Sequence, residues 1–296
     1  MKEHNQHSDQ VFAVVNYSLL SIILVMVLYP LLFVLSASVS NPDLVNTGNV
    51  YIWPRGFNTD GYTTVFEYKA VFIGYRNSFI YTFFGTMLNI TLTMTAAFAL
   101  SRRDLYGRNL LTMIMAFTMW FSGGLIPTFM LVNSLGLVNT PYVMILLGAI
   151  SIWNMIIART FIQSSIPLEL QEAARIDGCN DFRIFFTIIL PLSVPVIAVL
   201  VLFYAAGHWN GYFNALIYLN DLKLRPLQIV LREILIQNQT LDMLDIEEAI
   251  DIARRARLAQ TMKYSLIVVS SVPMLMLYPF VQRFFIKGIM VGSIKG

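Results

Sequence analysis

Ser164-Ser-Ile-Pro-Leu-Glu-Leu-Gln-Glu-Ala-Ala-Arg-Ile-Asp-Gly178 is a polar island between two long apolar runs, residues 141–163 and 185–207. Its residues spell a short helix. Pro167 suits the first helical position, where a missing N–H costs nothing. Glu169 and Glu172 follow in the first turns, where the helix dipole favours acids, and Gly178 supplies the stop. At helical spacing Leu170, Ala173 and Ala174 share one face, and two alanines there let another surface come close. Glu172 and Arg175 flank that face as polar handles. The face is too small and too acidic to rest well on lipid headgroups, so it reads as a docking surface for a protein.

The runs on either side set the fold class. A hydrocarbon core about 30 Å thick takes roughly 20 apolar helical residues. Six windows of that kind occur, at about 11–39, 78–100, 110–132, 141–163, 185–207 and 264–286. Of the 296 residues 57% are hydrophobic and only 12% charged, about half the charge of a soluble domain. So little charge cannot cover a water-facing surface of this size, and the excess apolar surface must face lipid. The expected fold is all-α, a polytopic membrane bundle of six transmembrane helices. Charges within or beside the windows, Arg159, Arg183 and Arg283, lie near ends, where long side chains reach the interface. The first window is too long for a secretory apolar core. Ser36-Ala37-Ser38 is also not a convincing cleavage site, so the window reads as an uncleaved anchor. Pro30, Pro127, Pro191, Pro195, Pro273 and Pro279, with the pair Gly123-Gly124, are candidate kinks.

Loop charge sets the orientation. Arg102, Arg103 and Arg108 crowd one turn, whereas residues 133–140 carry no charge. The loop 208–263 holds seven basic and seven acidic residues and is near the length at which the positive-inside rule weakens. The short loops therefore decide, and both termini are placed in the cytoplasm. The expected organisation is a cytoplasmic tail 1–10, a first transmembrane helix 11–39, an extracytoplasmic loop 40–77, a core 78–287 and a cytoplasmic tail 288–296. Within the core lie the short helix 167–178 and the extracytoplasmic loop 208–263. In that loop Asp245–Arg257 has acids first and bases last and reads as a solvated helix.

Much chemistry is missing. There is no Gly-x-x-x-x-Gly-Lys-Ser/Thr phosphate loop, no His-Glu-x-x-His, no Gly-x-Ser-x-Gly and no zinc spacing. The one cysteine, Cys179, allows no internal disulfide. His4 and His7 lie in the tail, and His208 stands at a span end, where an interfacial role is expected. Basic residues are scattered, which excludes a nucleic-acid patch. The spans also lack mid-membrane carboxylates of the kind ion-coupled carriers use. With neither an ATP site nor an ion site, uphill transport by this chain would draw its energy from another subunit.

Glu172-Ala-Ala-x-x-Asp-Gly178, followed by Phe185 and Ile189-Leu-Pro191, resembles the EAA motif of permease subunits of bacterial binding-protein-dependent ABC importers. Trp209-Asn-x-x-Phe213 and the tail Gly288-Ile-Met-Val-Gly-Ser-Ile-Lys-Gly296 resemble the maltose-type carbohydrate permeases. Gly123-Gly-Leu-Ile-Pro127 and Asn154-Met-Ile-Ile-x-Arg-Thr-Phe161 resemble the subgroup for complex oligo- and polysaccharides. The resemblance covers nearly the whole chain from about residue 10. It departs at Cys179, where the family usually has alanine, and in the charge of the 208–263 loop.

The resemblance implies a type I importer permease fold in a bacterial cell membrane. It implies pairing with a second homologous permease, two ATP-binding subunits that hold ATP and Mg, and an extracytoplasmic solute-binding protein. This chain would then be no enzyme and would bind no cofactor itself. The coupling residues implied are Glu172, Ala173, Ala174, Asp177 and Gly178, and the tail 288–296 would reach the ATPases. Trp120, Asn154, Trp209, Asn210 and Asn214 are aromatic and amide groups suited to sugar, and are the candidates for the substrate pathway. The alternatives are a permease for amino acids or peptides, which would want paired charges, and a membrane scaffold or interfacial enzyme, which would need a catalytic constellation.

Overall fold

A computed structural model describes residues 3–237 and 260–282. The tail 288–296 and the expected helix Asp245–Arg257 lie outside the described residues. Among the described residues the regular secondary structure is all helical, and the chain divides into two compact units, Met1–Val71 with Leu231–Ser271 and Phe72–Val230 with Val272–Gly296.

The first unit is dominated by α1 (Glu3–Ser38), whose apolar span runs Asp9–Ser38. Side chains from Val11 to Leu35 stand exposed along almost its whole length. Left in water, each would forgo about 1.5–3 kcal/mol of burial. That sum is out of reach for a folded domain, so lipid or another protein must cover this helix. At its end the small residues have a packing role. Ser36 donates to the Ile52 carbonyl, Ser38 pairs with Tyr62 at 2.8 Å, and Ser265 donates to the Ser38 carbonyl at 3.1 Å. Two short helices follow, α2 (Pro42–Asn46) and α3 (Asp60–Glu67).

In the second unit α4 (Lys69–Ser101) is one long apolar helix. It begins ahead of the window read from hydropathy. The next two windows are interrupted. Residues 110–132 divide into α5 (Arg108–Phe117) and α6 (Leu125–Ser134). The break falls at the expected Gly123-Gly124, where Gly124 takes φ +81° and ψ −177°, a region closed to side-chain-bearing residues. Residues 141–163 divide into α7 (Tyr142–Leu146) and α8 (Ile152–Ser165), the latter capped by the Ser151 side chain. After α9 (Leu168–Ile176), the 185–207 window is a bent pair. Asp181–Leu192, which contains a π-helical turn at Phe185–Ile189, meets Val194–Asn210 at 79°. The first arm is α10 and the second α11.

Among the described residues, then, three helices are long and apolar enough to span a membrane, or four if the bent pair is one span. Six uninterrupted spans are not seen. Hydropathy averages over breaks that backbone-permissive and proline residues create.

The core of the second unit joins α4, α8 and both arms of the bent pair through Met94, Met155, Ile162, Ile184 and Leu200. A second cluster, with Tyr81, Val143, Tyr218 and Ile229, is built under the 211–230 segment. There Asn77 donates to the Lys223 and Arg225 carbonyls at 2.7 and 3.1 Å, and Tyr81 to the Leu224 carbonyl at 2.8 Å.

Candidate functional site

Two places in the second unit carry chemistry. The first is α9. Its end is a six-to-one capped stop. The Gly178 N–H donates to the Arg175 carbonyl at 3.0 Å, and the Cys179 N–H donates to the Ala174 carbonyl at 2.9 Å. Gly178 sits at φ +80°, where this cap needs a residue that tolerates the left-handed region. Cys179 is half-buried against the core and fits as a small apolar residue.

This chain covers little of the α9 face read from sequence as a docking surface. Of Leu170, Ala173 and Ala174, only Ala174 is buried; Leu170 and Ala173 are exposed, as are Ile176, Glu169, Glu172 and Asp177. Periodicity can group apolar residues on a face but cannot say which surface covers it. Here most of that face points away from the chain.

Charge holds α9 at its far end. Arg102, just past the end of α4, forks onto Asp104, with its Nε at 2.9 Å from Oδ1, and also pairs with Asp181 at the start of α10. Arg175 of α9 reaches the same two carboxylates at 3.0 and 3.4 Å. The Arg102 side chain is 12% exposed. Burial alone would lower its pKa, but the hydrogen bonds to Asp104 and Asp181 outweigh it and raise it. Arg102 in turn holds the Asp104 carboxyl below its ordinary range. The Arg102 guanidinium also lies 5.7 Å over the Phe98 ring, which packs on Phe185 of the π-helical turn at 5.4 Å.

The second place is a cavity of about 310 Å³ between α4, the α7–α8 break and α11, lined by Asn89, Ser151, Asn154, Tyr204, His208 and Asn214 among others. Its lining includes no Lys, Arg, Asp or Glu. The break exposes backbone, and Asn89 satisfies it, donating to the Gly148 and Ala149 carbonyls at 3.2 and 2.7 Å. The Asn89 Oδ1 faces His208 Nε2 at 2.6 Å. Tyr204 joins Thr93 at 2.7 Å and accepts from the Ser151 N–H at 3.2 Å. His208 reaches this depth because Gly85 has no side chain: a Cβ there would stand 2.5 Å from the ring. Irregular backbone inside a membrane protein persists only where it is buried or lines a cavity, and this break lines one.

The pathway candidates part company. Asn154 and Asn214 line the cavity. Trp209 is 3% exposed and packs edge-on against Tyr75 and Phe79 at 5.6 and 5.3 Å. Asn210 is exposed at the end of α11. Trp120 is 84% exposed in the α5–α6 break. His208, expected at an interface, faces Asn89 instead. Asn89 escaped the sequence reading although an amide inside the 78–100 window carries the same signal as Asn154. Asp104 and Asp181 gave no signal, because only folding brings them together.

Residues 69–291 match the family described as the binding-protein-dependent transport system inner membrane component. The chain belongs to this family. As a permease it is 39% identical over 290 residues to the polygalacturonan/rhamnogalacturonan transport system permease protein YtcP of Bacillus subtilis (strain 168), covering 97% of this chain and 99% of that one. It is 39% identical over 293 residues to Protein LplC of the same organism, covering 99% and 98%. It also superposes on a chain from the crystal structure of a bacterial ABC transporter involved in the import of the acidic polysaccharide alginate. That match has a TM-score of 0.83 at 33% identity and covers 94% of this permease and 98% of that chain. The resemblance read from the EAA motif is thereby confirmed, as is the all-helical importer-permease fold.

Proposed function

We propose that this permease is the membrane-spanning subunit of an ATP-driven importer that carries a carbohydrate, an oligo- or polysaccharide, from an extracytoplasmic binding protein into a bacterial cytoplasm. The observation that carries the reading is the uncharged cavity at the α7–α8 break. Amides, hydroxyls and backbone suit sugar hydroxyls. The ammonium and carboxylate of an amino acid would each need a buried counter-charge, and none lines the cavity. The names of YtcP and of the alginate importer also point to polysaccharides, and since those polysaccharides are acidic, the cavity of this permease serves the sugar hydroxyls and not the carboxylates.

In this reading both termini are cytoplasmic and a second homologous permease completes the pathway. Two partner subunits bind ATP and Mg, and α9 docks on them. Glu172, Ala173, Ala174, Asp177 and Gly178 are its coupling residues. The exposed Leu170, Ala173 and Ile176 give the partner an apolar strip, and the acids beside it add directional contacts. Closure of the ATPases then biases the bundle between two states.

The test is uptake by the complete complex in proteoliposomes with its binding protein and ATP. Uptake of labelled oligosaccharides with no uptake of amino acids or peptides is expected. Uptake of amino acids or peptides in place of sugar would overturn the reading.

A further inference from the structure

We propose that Arg102 is a positioning residue. With Asp104, Asp181 and Arg175 it forms a charged clamp that makes α9 move as one body with the end of α4 and the start of the bent pair. The proposal rests on the reading of α9 as the helix that receives movement from a partner.

A helix that transmits force must be held more firmly by its own chain than by the groups it pushes against. By packing alone α9 is poorly held, because Ala174 is its one buried residue. The clamp supplies the missing hold. Arg102 binds two carboxylates from two different segments, and Arg175 of α9 binds the same two. Two positive and two negative groups close a neutral ring, so no member is left with unbalanced charge.

The end of α4 is a suitable anchor for such a ring. Arg159 of α8 donates to the Leu100 carbonyl at 3.0 Å, and Gln163 donates to the Ser101 carbonyl at 3.2 Å. The end that carries Arg102 is thus pinned to the body of the unit. From Arg102 the contact continues through Phe98 to Phe185, inside the π-helical turn ahead of the 79° bend. One arginine therefore touches, directly or through one ring, each element that a push on α9 must move.

Stability does not explain the arrangement. The two pairs that Arg175 of α9 makes are about half exposed on both sides, and exposed ion pairs add little to stability. The geometry, with a planar fork shared between segments, instead fixes direction and distance.

The experiment measures sugar transported per ATP hydrolysed by the complete complex in proteoliposomes. Uptake by the unaltered complex tests the function itself, and the ratio of variant to unaltered complex tests the clamp. Arg102→Gln and Asp181→Asn are expected to assemble and to hydrolyse ATP. Their transport per ATP is expected to fall roughly three- to tenfold. Arg102→Lys, which keeps charge but loses the fork, should fall between. Asp181→Arg, which sets a third positive charge against Arg102 and Arg175, should fall further than Asp181→Asn. An unaltered ratio in both Arg102→Gln and Asp181→Asn would overturn the proposal. So would failure of both to assemble, which would make the clamp a folding element only.

Discussion

Asn89 and Asn154 are amides that share one cavity but not one job. Asn89 satisfies two part-buried carbonyls of the α7–α8 break, and each net hydrogen bond of this kind contributes about 0.5–1.5 kcal/mol. Asn89→Leu should therefore lower the yield of assembled complex, read by size-exclusion chromatography. No hydrogen bond from the Asn154 side chain to another protein group is found among the described residues. Asn154→Leu should accordingly leave assembly intact and raise the half-saturating sugar concentration about two- to tenfold, the worth of one hydrogen bond. Gly178 makes a different demand. An added Cβ would touch nothing within 4 Å, so the whole penalty of a side chain there is its φ of +80°, about 1–2 kcal/mol. Gly178→Val should cut sugar-coupled ATP hydrolysis, while Gly178→Asn, which tolerates that φ, should retain most of it. The Asp104 carboxyl is held below its ordinary value of 3.8 by Arg102. A lowered pKa stabilises the folded state above the ordinary value and loses that contribution as pH falls through the lowered one. Transport per ATP should thus be flat through neutral pH. A decline near neutrality absent from Asp104→Asn would contradict this.

At the scale of elements, the bent pair follows from its two prolines. Pro191 has no N–H for the Thr187 carbonyl, and Pro195 none for the Pro191 carbonyl. The first gap coincides with the π-helical turn and the second with the bend beside buried Ser193. Pro195→Ala restores a donor and should straighten the joint. Spin labels on either side of Ser193 should move apart and turnover should fall with assembly preserved; an unchanged distance would mean that packing alone sets the angle. These prolines were legible in the sequence as kink candidates, as were Pro167 and Gly178 as the ends of α9. How little of α9 its own chain covers was not, because Ala174 is the one buried residue of that helix. The α7–α8 break was half legible. Ser151 is an ordinary helix-capping signal, but a hydropathy average across Gly148-Ala-Ile-Ser151 blurs it into one span.

For the whole molecule, composition alone fixed the solvent. The exposed apolar side chains of α1 and the low charge of the chain are two views of the same requirement for lipid or a protein partner. In the proposed reading the cavity sets the second global constraint, since its lining offers amides and hydroxyls and no Lys, Arg, Asp or Glu. The central claim is that sugar passes through this cavity in this subunit. It is tested most directly by trapping a photoreactive oligosaccharide in the complete complex and mapping the adducts by mass spectrometry. The account predicts adducts on the segments bearing Asn154 and Asn214, reduced in Asn154→Leu; adducts confined to the partner permease, with none around the α7–α8 break, would contradict it.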